Sequence, residues 1–334
     1  MAARLNIDVA GAGIFGLWQA LTLARAGHRV RLFEASAEPF ANAQSRFAGA
    51  MLAPWCEAEA APPIVRDAGI ACLDMWLEAF PGIIKAGTLV VAQARDLSEL
   101  KRFARLAPGH ELVDGPGIDA LEPDLAGRFQ SGLLFAREAH MRTPAALAAL
   151  LASAKQAGAE VRLGEIWTHN PSADFTVDCR GLGAREALPT LRGVRGERLL
   201  VRAWDVALKR PVRLLHPRFP LYIVPWGDGL HLVGATVLES EDPSPMTVRS
   251  ALELLGMAYA LTPAFGEAEI LETSAGVRPA FPDNVPRVVV QGRTIHVNGA
   301  HRHGFLLGPA MARIVADVVA KGRSDWEYAA GLMG

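Results

Sequence analysis

The stretch 5–34, LNIDVAGAGIFGLWQALTLARAGHRVRLFE, limits what this chain can fold into more than any other part of it. A short apolar run, broken only by Asn6 and Asp8, leads into Gly11-Ala12-Gly13-Ile14-Phe15-Gly16, and residues 29–34 form a second run ending on Glu34. The order reads as strand, tight turn, helix and strand, with the G-x-G-x-x-G spacing of a dinucleotide-binding unit. Gly11 permits the sharp turn, Gly13 lets the backbone approach a pyrophosphate, and Gly16 lets the helix sit close on the strand. The helix N-terminus then offers free N–H groups to the anion. Glu34 falls where a carboxylate accepts hydrogen bonds from an adenosine ribose. That acid disfavours a 2′-phosphate, so NADP is set aside while FAD and NAD both stay open. A glycine-rich structural turn is the plain alternative, but strand, helix, second strand and acid all fall in register.

With 334 residues and 51% hydrophobic content, the chain can bury a large core and exceeds the usual length of one domain. Two domains are expected. Thirty-four Lys+Arg against 35 Asp+Glu give a formal charge of -1, which argues against nucleic acid or an anionic membrane as partner and for a small molecule. Cys56, Cys72 and Cys179 form no C-x-x-C, which fits a reducing compartment and excludes a disulfide framework. The first apolar segment is interrupted by Asp8, and Gln19 and Arg25 follow it, so neither a signal peptide nor a membrane span is expected. A soluble cytoplasmic protein is the expectation.

After Glu34 comes Ser45-Arg46-Phe47-Ala48-Gly49-Ala50-Met51-Leu52-Ala53-Pro54. Small residues suit a backbone lying flat against a planar ligand, with Gly49 and Ala50 keeping side chains away and Ser45 available to phosphate. A small-residue helix packed on the sheet is equally compatible. Helices are expected at 64–80, 143–157, 247–261 and 305–321, with Thr143 as N-cap of the second before Pro144. The strand DFTVDCRGLGA ends in Gly181 and Gly183, again allowing close backbone approach. Residues 193–208 and 221–237 alternate, and Gly227-Asp228-Gly229 marks a hairpin. Hairpins following a doubly wound unit imply a second, mostly antiparallel layer. The fold class expected is therefore α/β, a Rossmann-like dinucleotide domain joined to a mostly antiparallel-sheet substrate domain.

The order GAGIFG…FE, AGAMLAP, YIVP…VGAT, AGVRP and GAHRHGFLLGP before a final helix resembles the D-amino-acid-oxidase family of flavoproteins, in particular its bacterial glycine oxidase branch, over nearly the whole chain. The resemblance implies a glutathione-reductase-like fold, with an FAD-binding domain from 1–84, 138–192 and 276–334 and a substrate domain from 85–137 and 193–275. It implies noncovalent FAD held by Gly11, Gly13, Ile14, Phe15, Gly16, Glu34, Ser45, Gly49, Ala50, Met51, Gly181, Gly183, Gly304, Phe305 and Leu306. It further implies that Arg278 clamps a substrate carboxylate, that Tyr222 helps hold it, and that Arg302 stands in the loop beside the flavin. A planar guanidinium suits a carboxylate. A salt-bridged arginine and a core tyrosine are the plain alternatives for Arg278 and Tyr222. Ala300, His301 and His303 depart from the family's loop, and Arg46-Phe47 stand where small or hydroxyl residues are usual. No cysteine lies near the C-terminus, so covalent flavin attachment is not expected. His296, His301 and His303 lack an acid or cysteine at ligand spacing, and a metal site is not expected.

The function implied is FAD-dependent oxidation of a small amino acid or secondary amine, such as glycine, sarcosine or a short D-amino acid, to an imine that water converts to the oxo acid. Oxygen or another electron acceptor would reoxidise the flavin. Two alternatives stay open: a binding or regulatory protein that keeps the dinucleotide fold without turnover, and a flavin enzyme acting on a modified nucleobase. The near-neutral charge counts against the second.

Overall fold

Two large sheets carry the molecule in this computed structural model, which describes residues 4–334. The first has six strands in the order Arg287–Gln291, Thr294–Asn298, Phe175–Asp178, Asn6–Ala10, Arg29–Glu34 and Glu160–Leu163. All neighbours run parallel except the first two. A parallel pair needs a crossover, and the helix Ile14–Arg25 supplies it between Asn6–Ala10 and Arg29–Glu34. Leu17, Trp18, Leu21 and Leu23 are all buried, because the helices Thr143–Gln156 and Gly304–Lys321 pack on this one. Trp18 meets Trp76 edge-on with ring centroids 4.9 Å apart. Trp76 is fully buried and donates its indole N–H to the Phe305 carbonyl at 2.6 Å. Truncating such a side chain costs about 3–5 kcal/mol, and here it would also loosen the start of the last long helix.

The second sheet has eight strands in the order Glu269–Ala280, Arg192–Arg202, Leu230–Gly234, Leu221–Gly227, Val212–Leu215, Thr88–Ala92, Ser131–Phe135 and Glu111–Asp114. Neighbours are antiparallel apart from Thr88–Ala92 with Val212–Leu215. The hairpin at Gly227-Asp228-Gly229 forms as the sequence leads one to expect, with φ of 79°, 53° and 70°. Strand alternation positions the site. Leu199, Val233, Ile223 and Val212 join Leu254, Ala258 and Leu261 of the helix Val248–Leu261 in one apolar cluster. The alternating set Arg198, Gly234, Tyr222 and Arg213 lies on the other face, held in one row by the pairings Arg198↔Gly234, Tyr222↔Gly234 and Arg213↔Tyr222.

Four local features differ from expectation or decide between alternatives. The segment after Ser45 is no helix: Gln44–Phe47 is one 3-10 turn and the chain then extends into the strand Met51–Leu52. The reason lies in its carbonyls. Ala48 accepts the Thr143 hydroxyl at 2.6 Å, and Ala50 accepts the Met141 N–H at 3.1 Å. Thr143 is correspondingly not the cap of its helix; Arg142 occupies the cap position, and the threonine hydroxyl is spent on the neighbouring segment. The strand Phe175–Asp178 is short, and Gly181–Ala184 forms a 3-10 turn after it. The strand Glu269–Ala280 runs unbroken through the domain limit expected at 275/276. Among the described residues, no helix is long and apolar enough to cross a membrane.

Candidate active site

A cavity of ≈ 500 Å³ runs between the two sheets, and the glycine turn forms one end of it. Gly11 has φ +94°, and a Cβ there would come 2.9 Å from the Cys179 carbonyl oxygen, so only glycine fits. At Gly16 a Cβ would overlap the Gly11 carbonyl, which is the close helix–strand packing that the motif demands. Gly13 faces the cavity with only the Ser45 hydroxyl near it. Ser45 Oγ accepts the Ile14 N–H at 2.9 Å, which leaves its own O–H free to donate. Glu34 is buried at the end of its strand and accepts from the Ala12 N–H at 3.0 Å and the Ser36 N–H at 3.1 Å. Two such bonds leave lone pairs on its cavity side. No acidic residue stands in the first turn of Ile14–Arg25 or of Gly304–Lys321, so both helix N-termini keep their positive character at the cavity. These residues fit a bound dinucleotide.

At the other end, Tyr222 and Arg278 line the same cavity. The Arg278 guanidinium lies over Gly196, and the Tyr222 ring fills the space beside Gly49 and Gly234, where a Cβ would come within 3.0 and 2.8 Å of it. Among the described residues, the Arg278 side chain makes one hydrogen bond, from Nη1 to the Thr236 carbonyl at 3.3 Å. No carboxylate pairs with it among the described residues. Burial and the nearby Arg302 push its pKa down, against Tyr222, yet an arginine starts so high that it keeps its charge. The other cavity arginines sit differently. Arg198 reaches Glu272 at 3.2 Å, and Arg302 reaches Glu57 Oε1 at 2.9 Å. Arg213 lies among Cys56, Glu57 and Glu138, with Nη1 unpartnered.

Glu57 is the acidic centre of this end. Its Oε2 lies 3.4 Å from His303 Nδ1. Burial alone would raise its pKa, but Arg302, His303 and Arg213 outweigh burial and bring it to about 2. Burial takes His303 down to about 4, and burial with the charges of its neighbours takes His301 to about 3, so both imidazoles are neutral at physiological pH. His296 instead sits 3.3 Å from Asp178 on the first sheet.

Of the residues singled out from sequence, Gly16 alone stands off the cavity, behind Gly11; the other seventeen line it. Sequence reasoning passed over Arg198, Arg213 and Glu57. Arg213 alternates with the apolar Val212 and Leu214, which is a signal that it faces away from the core; Arg198 has no such signal, because Arg195 and Glu197 share the phase of Leu199 and Val201. Glu57 ends a four-residue helix, Pro54–Glu57, and nothing local marks it.

The model of the family described as FAD dependent oxidoreductase (DAO) matches residues 7–318. A protein of Rhizobium etli named for a thiamine biosynthesis oxidoreductase, ThiO, is 53% identical over 313 residues, covering 93% of this chain and 95% of that one. The glycine oxidase of Geobacillus kaustophilus is 26% identical over 98% of this chain and 96% of its own length. The crystal structure of that organism's glycine oxidase superposes with a TM-score of 0.83 at 23% identity, covering 98% of this chain and 97% of the other.

Proposed function

This chain belongs to the FAD-dependent oxidoreductase family, and from that premise we propose that it oxidises a small α-amino acid or N-alkyl amino acid, glycine and sarcosine being the first candidates. The relatives named glycine oxidase support a small amine, and the ThiO name of the 53% identical relative supports a biosynthetic setting. The observation that carries the reading is Arg278, a cavity cation that pairs with no carboxylate among the described residues. Burying an uncompensated charge is costly, so the site is stabilised by a ligand that brings an anion to it.

FAD, when bound, supplies the two-electron acceptor for the α C–H bond. The residues around it have a narrower task. Arg278 holds the substrate carboxylate by a charge-assisted fork, with Tyr222 beside it as a hydroxyl donor. Fixing that group fixes the direction of the α-carbon, which is worth more to the rate than affinity alone. The surplus of guanidinium charge lowers the pKa of a bound ammonium and so favours the neutral amine, the form that can give up an electron pair. His301 and His303 are neutral and add no competing cation. With FAD bound, the α C–H would leave with its electron pair to that acceptor and the nitrogen would release a proton to solvent, giving an imine that water would hydrolyse to the oxo acid and ammonia or, from sarcosine, methylamine. No dedicated protein base is needed.

Anaerobic rapid mixing with glycine and sarcosine tests this. Arg278→Ala should keep the flavin spectrum and lose on the order of 3–5 kcal/mol of substrate-dependent reduction. Arg278→Lys should also be poor, because a point charge cannot reproduce the fork. Amines without a carboxylate should be affected far less. An unchanged rate in Arg278→Ala would sink the amino-acid reading.

A further inference from the structure

Arg198, Arg213, Arg278 and Arg302 all line the amine end of one cavity; Arg302 is ion-paired with Glu57, whereas Arg278 pairs with no carboxylate among the described residues. The difference is Glu57. Its backbone is fixed on the wall by Glu57 N–H to the Ala53 carbonyl at 3.0 Å and by the preceding Cys56 N–H to Glu138 Oε1 at 2.7 Å. From there the carboxylate pairs with Arg302 through Oε1, while Oε2 lies 3.4 Å from His303 Nδ1 without a hydrogen bond to it. The same loop is tied on its other side by His301 N–H to the Pro279 carbonyl at 2.8 Å, next to Arg278. Glu57 therefore holds the segment that connects the strand Thr294–Asn298 to the helix Gly304–Lys321, beside the end of the clamp strand.

We propose that Glu57 is a positioning residue: by pairing with Arg302 it fixes the 299–304 loop and keeps Arg302 from competing with Arg278 for the substrate carboxylate. The proposal rests on the amino-acid reading only in taking a carboxylate as the anion that the two arginines would share. Glu57 touches neither substrate nor cofactor in this role. Its effect passes through Arg302.

The test uses the flavin-loaded enzyme and two readouts, acetate binding followed by the flavin absorbance change and anaerobic reduction by glycine. In Glu57→Gln the cavity gains one uncompensated positive charge and Arg302 is released. Acetate should bind about tenfold tighter, while reduction at saturating glycine falls by about tenfold or more because the carboxylate is drawn off the Arg278 position. Adding Arg302→Met to Glu57→Gln should return acetate affinity to within about twofold of the Arg302→Met single variant, since removal of the released cation cancels the effect. Parental acetate affinity and parental reduction in Glu57→Gln would overturn the proposal. So would additive effects in the double variant, or a lower melting temperature and flavin loss with no tightening toward acetate, which are the marks of a merely structural carboxylate. Acetate binding needs no turnover. Failure of every amino acid to reduce the parent enzyme would therefore count against the proposed function and leave the Glu57 measurement readable.

Discussion

The guanidinium of Arg278 occupies the space that a side chain on Gly196 would fill. Gly196 faces Gly276 across the pairing of Arg192–Arg202 with Glu269–Ala280, two residues from the Arg278 position, so the arginine can fold back over its neighbouring strand. The glycine thus acts as a molecular slot for the clamp.

Gly196→Ala should displace Arg278 without touching the dinucleotide end. The expected outcome is a retained flavin spectrum with substrate-dependent reduction weakened by on the order of 1.5–3 kcal/mol, the range for losing a hydrogen bond to a charged group. Stopped-flow reduction by glycine checks it. Parental kinetics in the alanine variant would mean that Arg278 binds substrate from some other rotamer, or not at all.

Glu34→Ala removes the acceptor of the Ala12 and Ser36 N–H groups as well as the carboxylate facing the cavity. Flavin retention should weaken by on the order of 1.5–3 kcal/mol, read as the dissociation constant of FAD for the apoprotein. Acid precipitation of the parent should leave a colourless pellet and a yellow supernatant, as noncovalent binding requires. Unaltered retention in the variant would remove Glu34 from the cofactor site.

Stability should depend on pH through two buried acids of opposite sign. Burial raises Glu138 to about 7 from 4.5, so the folded state holds a proton that the unfolded chain has released. Its contribution is fully present below pH 4.5 and is lost as pH rises to about 7. Glu57, brought down to about 2 by its cations, behaves in reverse: its contribution is present above pH 4.5 and is lost as pH falls toward 2. Glu138→Gln should therefore gain stability relative to the parent between pH 5 and pH 8, by up to on the order of 3 kcal/mol. Chemical denaturation at the two pH values measures it. A difference between variant and parent that does not change with pH would show that Glu138 is ionised throughout.

What the sequence made legible was local. The glycine turn, the following helix and the Gly227–Gly229 hairpin each depend on residues a few positions apart, and each forms as expected. Features set by contacts between distant segments were not legible. Thr143 has the composition of a helix cap but gives its hydroxyl to Ala48, far away in the chain. Arg302 reads as a second cavity cation until Glu57, 245 residues earlier, is seen beside it. Arg198 and Arg213 flank Tyr222 only through the register of four strands, which alternation alone does not fix.

The strand Thr294–Asn298 inserts beside Phe175–Asp178, and the loop that closes the cavity follows it. During synthesis, residues 294–306 must leave the ribosome before the part of the cavity wall that they form exists. Until then Phe175–Asp178 offers an unpaired edge to other nascent chains. Cofactor capture thus has to wait for residues 294–306 and not only for the glycine turn made first.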